Sequence, residues 1–137
     1  MAMRNFAQQN TTQNILIISQ DEEMINIWVT FFKEKHYCVI NEKETTKGIQ
    51  TSRLITPALI IIYLDLPQNE NIQFCKALRA TTSGALLLLA PRNTNSPAYY
   101  QAGINEFIAT PANPMAVLMK SITWLARQEW QTMHTYK

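Results

Sequence analysis

Two carboxylates follow two continuously apolar runs of the chain. Asp21 follows the run at residues 15–18, and Asp65 comes two residues after the run that ends at Tyr63. If these runs are neighbouring parallel strands, Asp21 and Asp65 lie near one edge of a sheet and form a candidate pair of oxygen ligands for Mg²⁺. Strand alternation puts Asp65 on the same face as Tyr63 but one step further out. A solvated loop carboxylate is the competing interpretation of Asp65.

The elements that would position these carboxylates are short apolar runs alternating with longer amphipathic stretches. This pattern predicts an α/β protein with a parallel sheet flanked by helices. The runs at 15–18 and 59–63 are continuously apolar, which is typical of central strands covered on both faces. Further strands are predicted at 37–40, 85–89 and 106–109. Helices are predicted at 21–35, 44–53 and 71–80, as a short segment within 93–103, and from 113 to about 129.

Apolar spacing also predicts which helix faces pack on the sheet. The first helix is predicted to bury Met24, Ile27, Trp28 and Phe31. The last helix is predicted to bury Met115, Leu118, Ile122 and Leu125. Because Val117, Met119 and Trp124 spread further apolar surface around the last helix, more than one of its faces is predicted to make contacts.

Four segments, taken in order, resemble the receiver domain of response regulators, the two-component signalling module that accepts a phosphoryl group on an aspartate. Residues 15–24, 59–67, 86–92 and 102–114 resemble its acidic-pair strand, phospho-acceptor strand, Thr/Ser strand and Lys-Pro strand. The resemblance covers roughly residues 14–128. It implies a flavodoxin-like receiver fold, which is a doubly wound, five-stranded parallel sheet of order 2-1-3-4-5 in a three-layer α/β/α arrangement.

The residues that carry the chemistry of that family are replaced in this chain. Counting back from Pro67, the proline of the Asp-x-x-x-Pro motif, leads to Tyr63 in place of the acceptor aspartate. The acidic pair corresponds to Ser19 and Gln20, with Asp21 just beyond. The hydroxyl residue corresponds to Ala90, and the lysine corresponds to Thr110, which precedes Pro111 in a peptide bond that the resemblance implies is cis. Together with Asp65, these residues form the predicted degenerate phospho-site pocket.

The replacements argue against phosphotransfer. A phenol with a pKa near 10 is a poor nucleophile at neutral pH and cannot form an acyl phosphate. We therefore predict a chain that is not an enzyme and that has no metal ion or cofactor. Tyr63 is expected to fill the vacated space, with its hydroxyl bonded to Gln20 or Thr110. A small-molecule pocket and tyrosine phosphorylation remain alternative roles for this position.

The resulting functional hypothesis is a phosphorylation-independent pseudo-receiver that acts as a protein-interaction module in signal transduction. The resemblance implies a contact face on the fourth helix, fifth strand and fifth helix, through which a homodimer is also possible. That face comprises Tyr99, Tyr100, Phe107, Val117, Lys120 and Trp124. The alternatives are a phosphotransfer receiver that uses Asp65 with Asp21, and a sensor that binds a small ligand in the vacated pocket.

Charge and hydropathy limit the classes of partner that we expect. The 12 basic and 10 acidic residues give a net charge of +2 without a basic cluster, so nucleic acid is not an expected partner. The apolar runs are too short to span a membrane, and a cytoplasmic location is expected. Three parts are predicted: a flexible lead-in at 1–13, a receiver-like domain at 14–128 and a tail or linker at 129–137.

Overall fold

A computed structural model describes residues 13–135 of the chain, and the side chains of residues 13–130. In this range five strands alternate with five helices. The strands are β1 (Asn14–Ser19), β2 (Cys38–Glu42), β3 (Leu59–Tyr63), β4 (Ala85–Pro91) and β5 (Glu106–Thr110). The helices are α1 (Glu22–Glu34), α2 (Thr45–Ile55), α3 (Gln68–Arg79), α4 (Ser96–Ala102) and α5 (Pro114–Thr135).

The strands form one parallel sheet of order β2-β1-β3-β4-β5, which confirms the predicted doubly wound topology. The central strands are buried on both sides because alternate side chains enter two separate cores. Ile15 and Ile17 join the core under α1 and α5. Leu16 and Ile18 join the opposite core, which includes residues of α3 and α4. The three-layer arrangement is therefore also confirmed.

Local chemistry explains where two of the helices begin and end. Asp21 caps α1, as its Oδ1 accepts a hydrogen bond from the Met24 amide at 3.1 Å. The short helix α4 ends at Gly103, whose φ of +113° is a left-handed conformation that costs glycine little. The helix α3 begins at Gln68, directly after Pro67 and three residues before its predicted start.

The long helix α5 continues past its predicted end near residue 129 to Thr135. Residues 129–135, predicted as part of a tail or linker, are therefore helical. The predicted lead-in lies outside the described residues except for Gln13, and the division into three parts stays a prediction. Among the described helices, none is long and apolar enough to cross a membrane.

The buried faces of α1 and α5 differ in part from the predicted ones. In α1 the buried side chains are Ile25, Trp28 and Phe32, and Ile27 is 38% exposed. In α5 they are Val117, Leu118, Ser121 and Leu125, and Met115 is 53% exposed. Trp28, Leu118 and Leu125 are buried as predicted, and Met24, Phe31 and Ile122 are partly buried against the same core. Only Ile27 and Met115 of the predicted stripes are exposed, so each helix is turned from its predicted orientation without losing the stripe.

Candidate functional site: the carboxyl edge of the sheet

The predicted pocket residues come from the carboxyl ends of four neighbouring strands. Ser19 pairs in register with Tyr63 across β1 and β3, and Pro91 pairs with Thr110 across β4 and β5. Because all strands run in one direction, these ends share one edge of the sheet. The structure therefore places Ser19, Tyr63 and Thr110 along one edge, as predicted.

Tyr63 is partly buried and packs against the core under α1 and α5. The partly buried Met24 and Ala112 contact the same cluster. Within the described residues the Tyr63 hydroxyl has no hydrogen-bond partner, so the predicted bond to Gln20 or Thr110 is wrong. The reason is visible for Gln20, since its Nε2 donates to the carbonyl oxygen of Lys43 at 3.0 Å.

Ser19 and Asp21 are held by local hydrogen bonds. The buried Ser19 accepts a hydrogen bond at Oγ from the Asp21 amide at 3.1 Å. The Asp21 carboxylate is itself occupied as the cap of α1. These bonds shape the turn from β1 into α1, and they direct the Asp21 carboxylate toward the first turn of the helix.

Asp65 is exposed and lines a shallow cavity of about 260 Å³ over the loops that follow β2 and β3. Gln20, Lys43, Glu44 and Thr45 supply the other polar groups of this cavity, and Asp21 does not line it. Lys43 also forms an ion pair with Glu22. Asp21 therefore does not share this cavity with Asp65. Over residues 13–130, no group of three His, Cys, Asp or Glu side chains is arranged to hold a metal ion.

The other two strand ends carry Ala90 and Thr110. Ala90 is only 6% exposed and belongs to the core that includes Tyr99. The peptide bond between Thr110 and Pro111 is cis, which confirms what the resemblance implied. Phe107 packs against the same core, and its backbone amide donates to the Tyr100 hydroxyl at 3.2 Å. This bond ties the fifth strand to α4.

The predicted contact face needs correction at two positions. Tyr99 is only 2% exposed because it lies on the inner side of α4 with Ala102, and Val117 is fully buried because it lies on the side of α5 that faces the sheet. Neither side chain is accessible to a partner. The other four residues of the predicted face, which we call the α4–β5–α5 face, are Tyr100, Phe107, Lys120 and Trp124, and each of them is exposed or partly exposed.

Glu106, which the sequence analysis did not single out, organises this face. Its Oε1 accepts a hydrogen bond from Trp124 Nε1 at 3.0 Å, and its Oε2 pairs with Lys120 Nζ at 3.1 Å. The guanidinium of Arg127 lies 4.4 Å from the Trp124 ring centroid. Burial acts to raise the pKa of Glu106, but the two hydrogen bonds and the charges of Lys120 and Arg127 outweigh it, so the pKa is lowered.

A carboxylate with a lowered pKa makes stability depend on pH. The contribution of Glu106 is present above the ordinary pKa of 4.5 and is lost as the pH falls through its folded-state pKa. Because the group is partly exposed, we expect a contribution of less than about 1 kcal/mol. Urea unfolding of the wild type and Glu106→Gln at neutral and acidic pH measures it. The difference between the two proteins should shrink on acidification, and a constant difference would contradict the assignment.

Comparison with known proteins agrees with this architecture. Over 101 residues, or 72% of this chain, it is 29% identical to the KDP operon transcriptional regulatory protein KdpE of Escherichia coli (strain K12). Over 131 residues, or 90%, it is 22% identical to the transcriptional regulatory protein ResD of Bacillus subtilis (strain 168). These matches span 44% of KdpE and 52% of ResD, so the chain covers about half the length of these relatives. No protein-family model matches the chain.

Solved structures show the class of fold. A CheY-like response regulator receiver domain protein from Methanospirillum hungatei JF-1 superimposes with a TM-score of 0.75 at 20% identity, covering 88% of this chain and 98% of that one. The chain therefore has the receiver fold of response regulators. The resemblance assigns the chemistry of receivers to the strand ends at which Ser19, Tyr63, Ala90 and Thr110 lie in this fold.

Proposed function

We propose that this chain is a receiver domain of two-component signalling that works without phosphorylation, by binding a protein partner. The observation that carries the proposal is the side chain at the end of the central strand β3. That side chain is Tyr63, which stands where the family has its acceptor aspartate and packs against the core. In this proposal the chain is a cytoplasmic binding module and not an enzyme.

The chemistry of the strand ends supports phosphorylation independence. An acyl phosphate forms only on a carboxylate, and its formation in receivers needs Mg²⁺ to neutralise the phosphoryl oxygens. Mg²⁺ takes near-octahedral oxygen ligands that include one or two carboxylates. The donor set at this edge does not fit that ion, because Ser19 is buried and hydrogen-bonded to the backbone, Gln20 is bonded to Lys43, and Asp21 caps a helix.

The character of the α4–β5–α5 face supports the proposed partner binding. Tyr100 is 47% exposed, and Phe107 and Trp124 are partly buried. Aromatic side chains with a polar group are enriched in protein interfaces. Trp124 is held by Glu106 and Arg127, and Tyr100 is held by the Phe107 amide. The conformations of these two side chains are therefore largely fixed before a partner binds, which lowers the entropy cost of binding.

An NMR titration of the ¹⁵N-labelled chain with Mg²⁺ and then beryllofluoride, a mimic of aspartyl phosphate, tests the proposal. We expect the amide resonances of Ser19, Tyr63, Ala90 and Thr110 to stay unchanged at millimolar concentrations. Concerted shifts at these residues together with Phe107 would overturn it, since they would show a working phosphoryl site coupled to the partner face.

A variant with the family residues restored calibrates this titration. Ser19→Asp, Gln20→Asp, Tyr63→Asp, Ala90→Thr and Thr110→Lys together rebuild the acidic-pair, acceptor, hydroxyl and lysine positions. Provided that circular dichroism shows it folded, its resonances at the same edge should shift under conditions that leave the wild type unchanged.

Asp65 gives the same experiment a second outcome. It shares its cavity with Lys43, so a phosphoryl group there would meet a positive charge. Shifts centred on Asp65 that disappear in Asp65→Asn would replace our proposal with phosphotransfer at that residue. At about 260 Å³, the cavity is smaller than most sites for drug-sized ligands, so its size does not favour a small-ligand sensor.

A further inference from the structure

The outward side of α5 carries an apolar stripe separate from its buried side. Met115, Met119 and Trp130 are 53%, 68% and 59% exposed, and Ala126 between them is also exposed. We call these four residues the outer stripe. Their spacing of four, seven and four residues keeps them on one side of the helix. With 22 residues at about 1.5 Å rise, α5 is about 33 Å long, which gives the stripe enough length for a helix–helix contact.

A groove runs beside the outer stripe, between α1 and α5. It has a volume of about 450 Å³, and Ile27, Phe31, Met115 and Leu118 supply its apolar lining, with Glu34 also at its wall. Met119, the most exposed side chain of the outer stripe, therefore lies next to a groove that is also apolar. A patch that holds both a projecting side chain and a groove can pair with a second copy of itself, since each copy then fills the groove of the other.

Charges of opposite sign flank this patch. Trp28 Nε1 donates to the Pro114 carbonyl oxygen at 3.4 Å, so Trp28 and Pro114 lie at the same height along the axes of α1 and α5. Both helices follow parallel strands on the same face of the sheet and therefore run in the same direction. Glu34 and Lys120, each six residues further along, then also lie at equal heights. Glu34 lies on the α1 flank, and Lys120 lies on the opposite flank, where it reaches β5 through Glu106.

From this arrangement we propose that the chain forms a homodimer through the outer stripe and the α1–α5 groove, around a two-fold axis parallel to α5. Such an axis exchanges the two flanks, so Glu34 of each copy faces Lys120 of the other. A two-fold axis perpendicular to α5 would instead place each flank against itself and bring like charges together, which is unfavourable.

This dimer goes beyond the proposed function and uses a different surface from the predicted homodimer. On the α4–β5–α5 face, Glu106, Lys120 and Trp124 satisfy one another within a single chain. The most exposed apolar side chains of α5 lie on the other side of the helix, where burial against a second copy would remove them from water. Lys120 belongs to both surfaces, but Met119 lies only on the outer stripe and Tyr100 only on the α4–β5–α5 face, so Met119→Glu and Tyr100→Glu test self-association and partner binding separately.

Sedimentation equilibrium over a concentration series up to millimolar tests the dimer. We expect the wild type to dimerise and Met119→Glu to raise the dissociation constant at least tenfold, because two carboxylates would then be buried at the seam. Glu34→Lys should also weaken the dimer, and added salt should narrow the difference between this variant and the wild type. Met119, Glu34 and the control position Leu54 are all exposed, so circular dichroism should show unchanged folding in these three variants.

Leu54→Glu is the matched control, because Leu54 is 84% exposed on α2, far from the seam. It should leave the dissociation constant unchanged. A wild type that stays monomeric throughout the series would overturn the proposal. So would a dimer that survives Met119→Glu but is lost in Tyr100→Glu, since that result would place self-association on the α4–β5–α5 face.

Cysteine crosslinking in a Cys38→Ser background tests the orientation, as Cys38 is the exposed native cysteine and Cys75 is buried. Around an axis parallel to α5, each position of the seam faces its own copy. Met115→Cys and Trp130→Cys should therefore each crosslink to themselves. If crosslinks form only in a mixture of the two variants, the helices are antiparallel and the proposed axis is wrong.

Discussion

Replacing Trp28 by alanine is expected to lower the free energy of unfolding by about 3–5 kcal/mol, the usual cost of truncating a fully buried tryptophan. Trp28 is completely buried and lies in the core under α1 and α5. Its indole also donates a hydrogen bond to Pro114 at the start of α5. The substitution would leave a cavity and remove the hydrogen bond that fixes the position of α1 along α5. Urea unfolding followed by circular dichroism measures the change.

Trp130→Ala is the matched control for that experiment, since it removes the same side chain from a position that is 59% exposed. At concentrations where the chain is monomeric, it should cost clearly less than Trp28→Ala, because a side chain that is 59% exposed in the folded chain buries much less apolar area. If Trp28→Ala cost no more than Trp130→Ala, Trp28 could not be the fully packed core residue described above. A stable Trp28→Ala protein with a weakened dimer would instead show that Trp28 positions the α1–α5 groove.

The strands were largely predictable because burial on both faces leaves a strong signal in the sequence. The run at 59–63 was predicted with the bounds that β3 has in the structure. The predicted bounds were less accurate for β4, which runs two residues past its predicted end, and for the edge strand β2, which starts one residue late and includes the polar Asn41 and Glu42. Asn41 Nδ2 donates to the Ile17 carbonyl oxygen, and Glu42 accepts from Thr51, so both polar side chains are satisfied at the edge of the sheet. Those partners are distant in sequence and leave no local pattern.

The orientation of α1 could not be predicted because the helix is apolar on several sides. Its sequence contains one apolar stripe through Ile27 and Phe31 and another through Ile25 and Phe32, and both include Trp28. Periodicity alone does not choose between them. Packing against the sheet and α5 selects the second stripe, which leaves Ile27 at the wall of the α1–α5 groove.

The candidate site was predictable as a set of positions but not as a set of contacts. The resemblance located Ser19, Tyr63, Ala90 and Thr110 at the strand ends, and the structure places them there. It could not show that Gln20 bonds to Lys43, nor that Glu106 is the common partner of Lys120 and Trp124. Such contacts depend on the register of helices against strands, which the spacing of residues in the sequence does not predict.

Arg79 is a second polar centre that the sequence did not reveal, at the amino end of the sheet. Its guanidinium donates to the carbonyl oxygens of Gly103, Thr82 and Gly84 and to Asn105 Oδ1. Asn105 Oδ1 in turn accepts from the Leu86 amide at 2.8 Å. One side chain at the end of α3 therefore joins the segments that lead into β4 and β5. Burial lowers the pKa of Arg79, and no carboxylate among the described residues pairs with it.

Replacing Arg79 by methionine is expected to lower the free energy of unfolding by about 2–4 kcal/mol. Hydrogen bonds from a charged donor contribute about 1.5–3 kcal/mol each, but the four are not additive because the side chain is only partly buried. Methionine keeps the apolar stem and removes a donor from four acceptor oxygens, of which Asn105 Oδ1 keeps the Leu86 amide. Arg79→Lys should recover a minor part of the loss, because one ammonium cannot match the planar fork that reaches four acceptors. Urea unfolding at neutral pH measures both variants.

Arg92→Met controls for the loss of a positive charge, since Arg92 is exposed in the turn after β4 and makes no hydrogen bond or ion pair among the described residues. It should change stability by no more than about 0.5 kcal/mol. A similar loss in Arg79→Met and Arg92→Met would mean that net charge, and not the four hydrogen bonds, sets the effect. Because the Arg79 network lies at the end of the sheet opposite Tyr63, the beryllofluoride titration of a folded Arg79→Met protein should match that of the wild type.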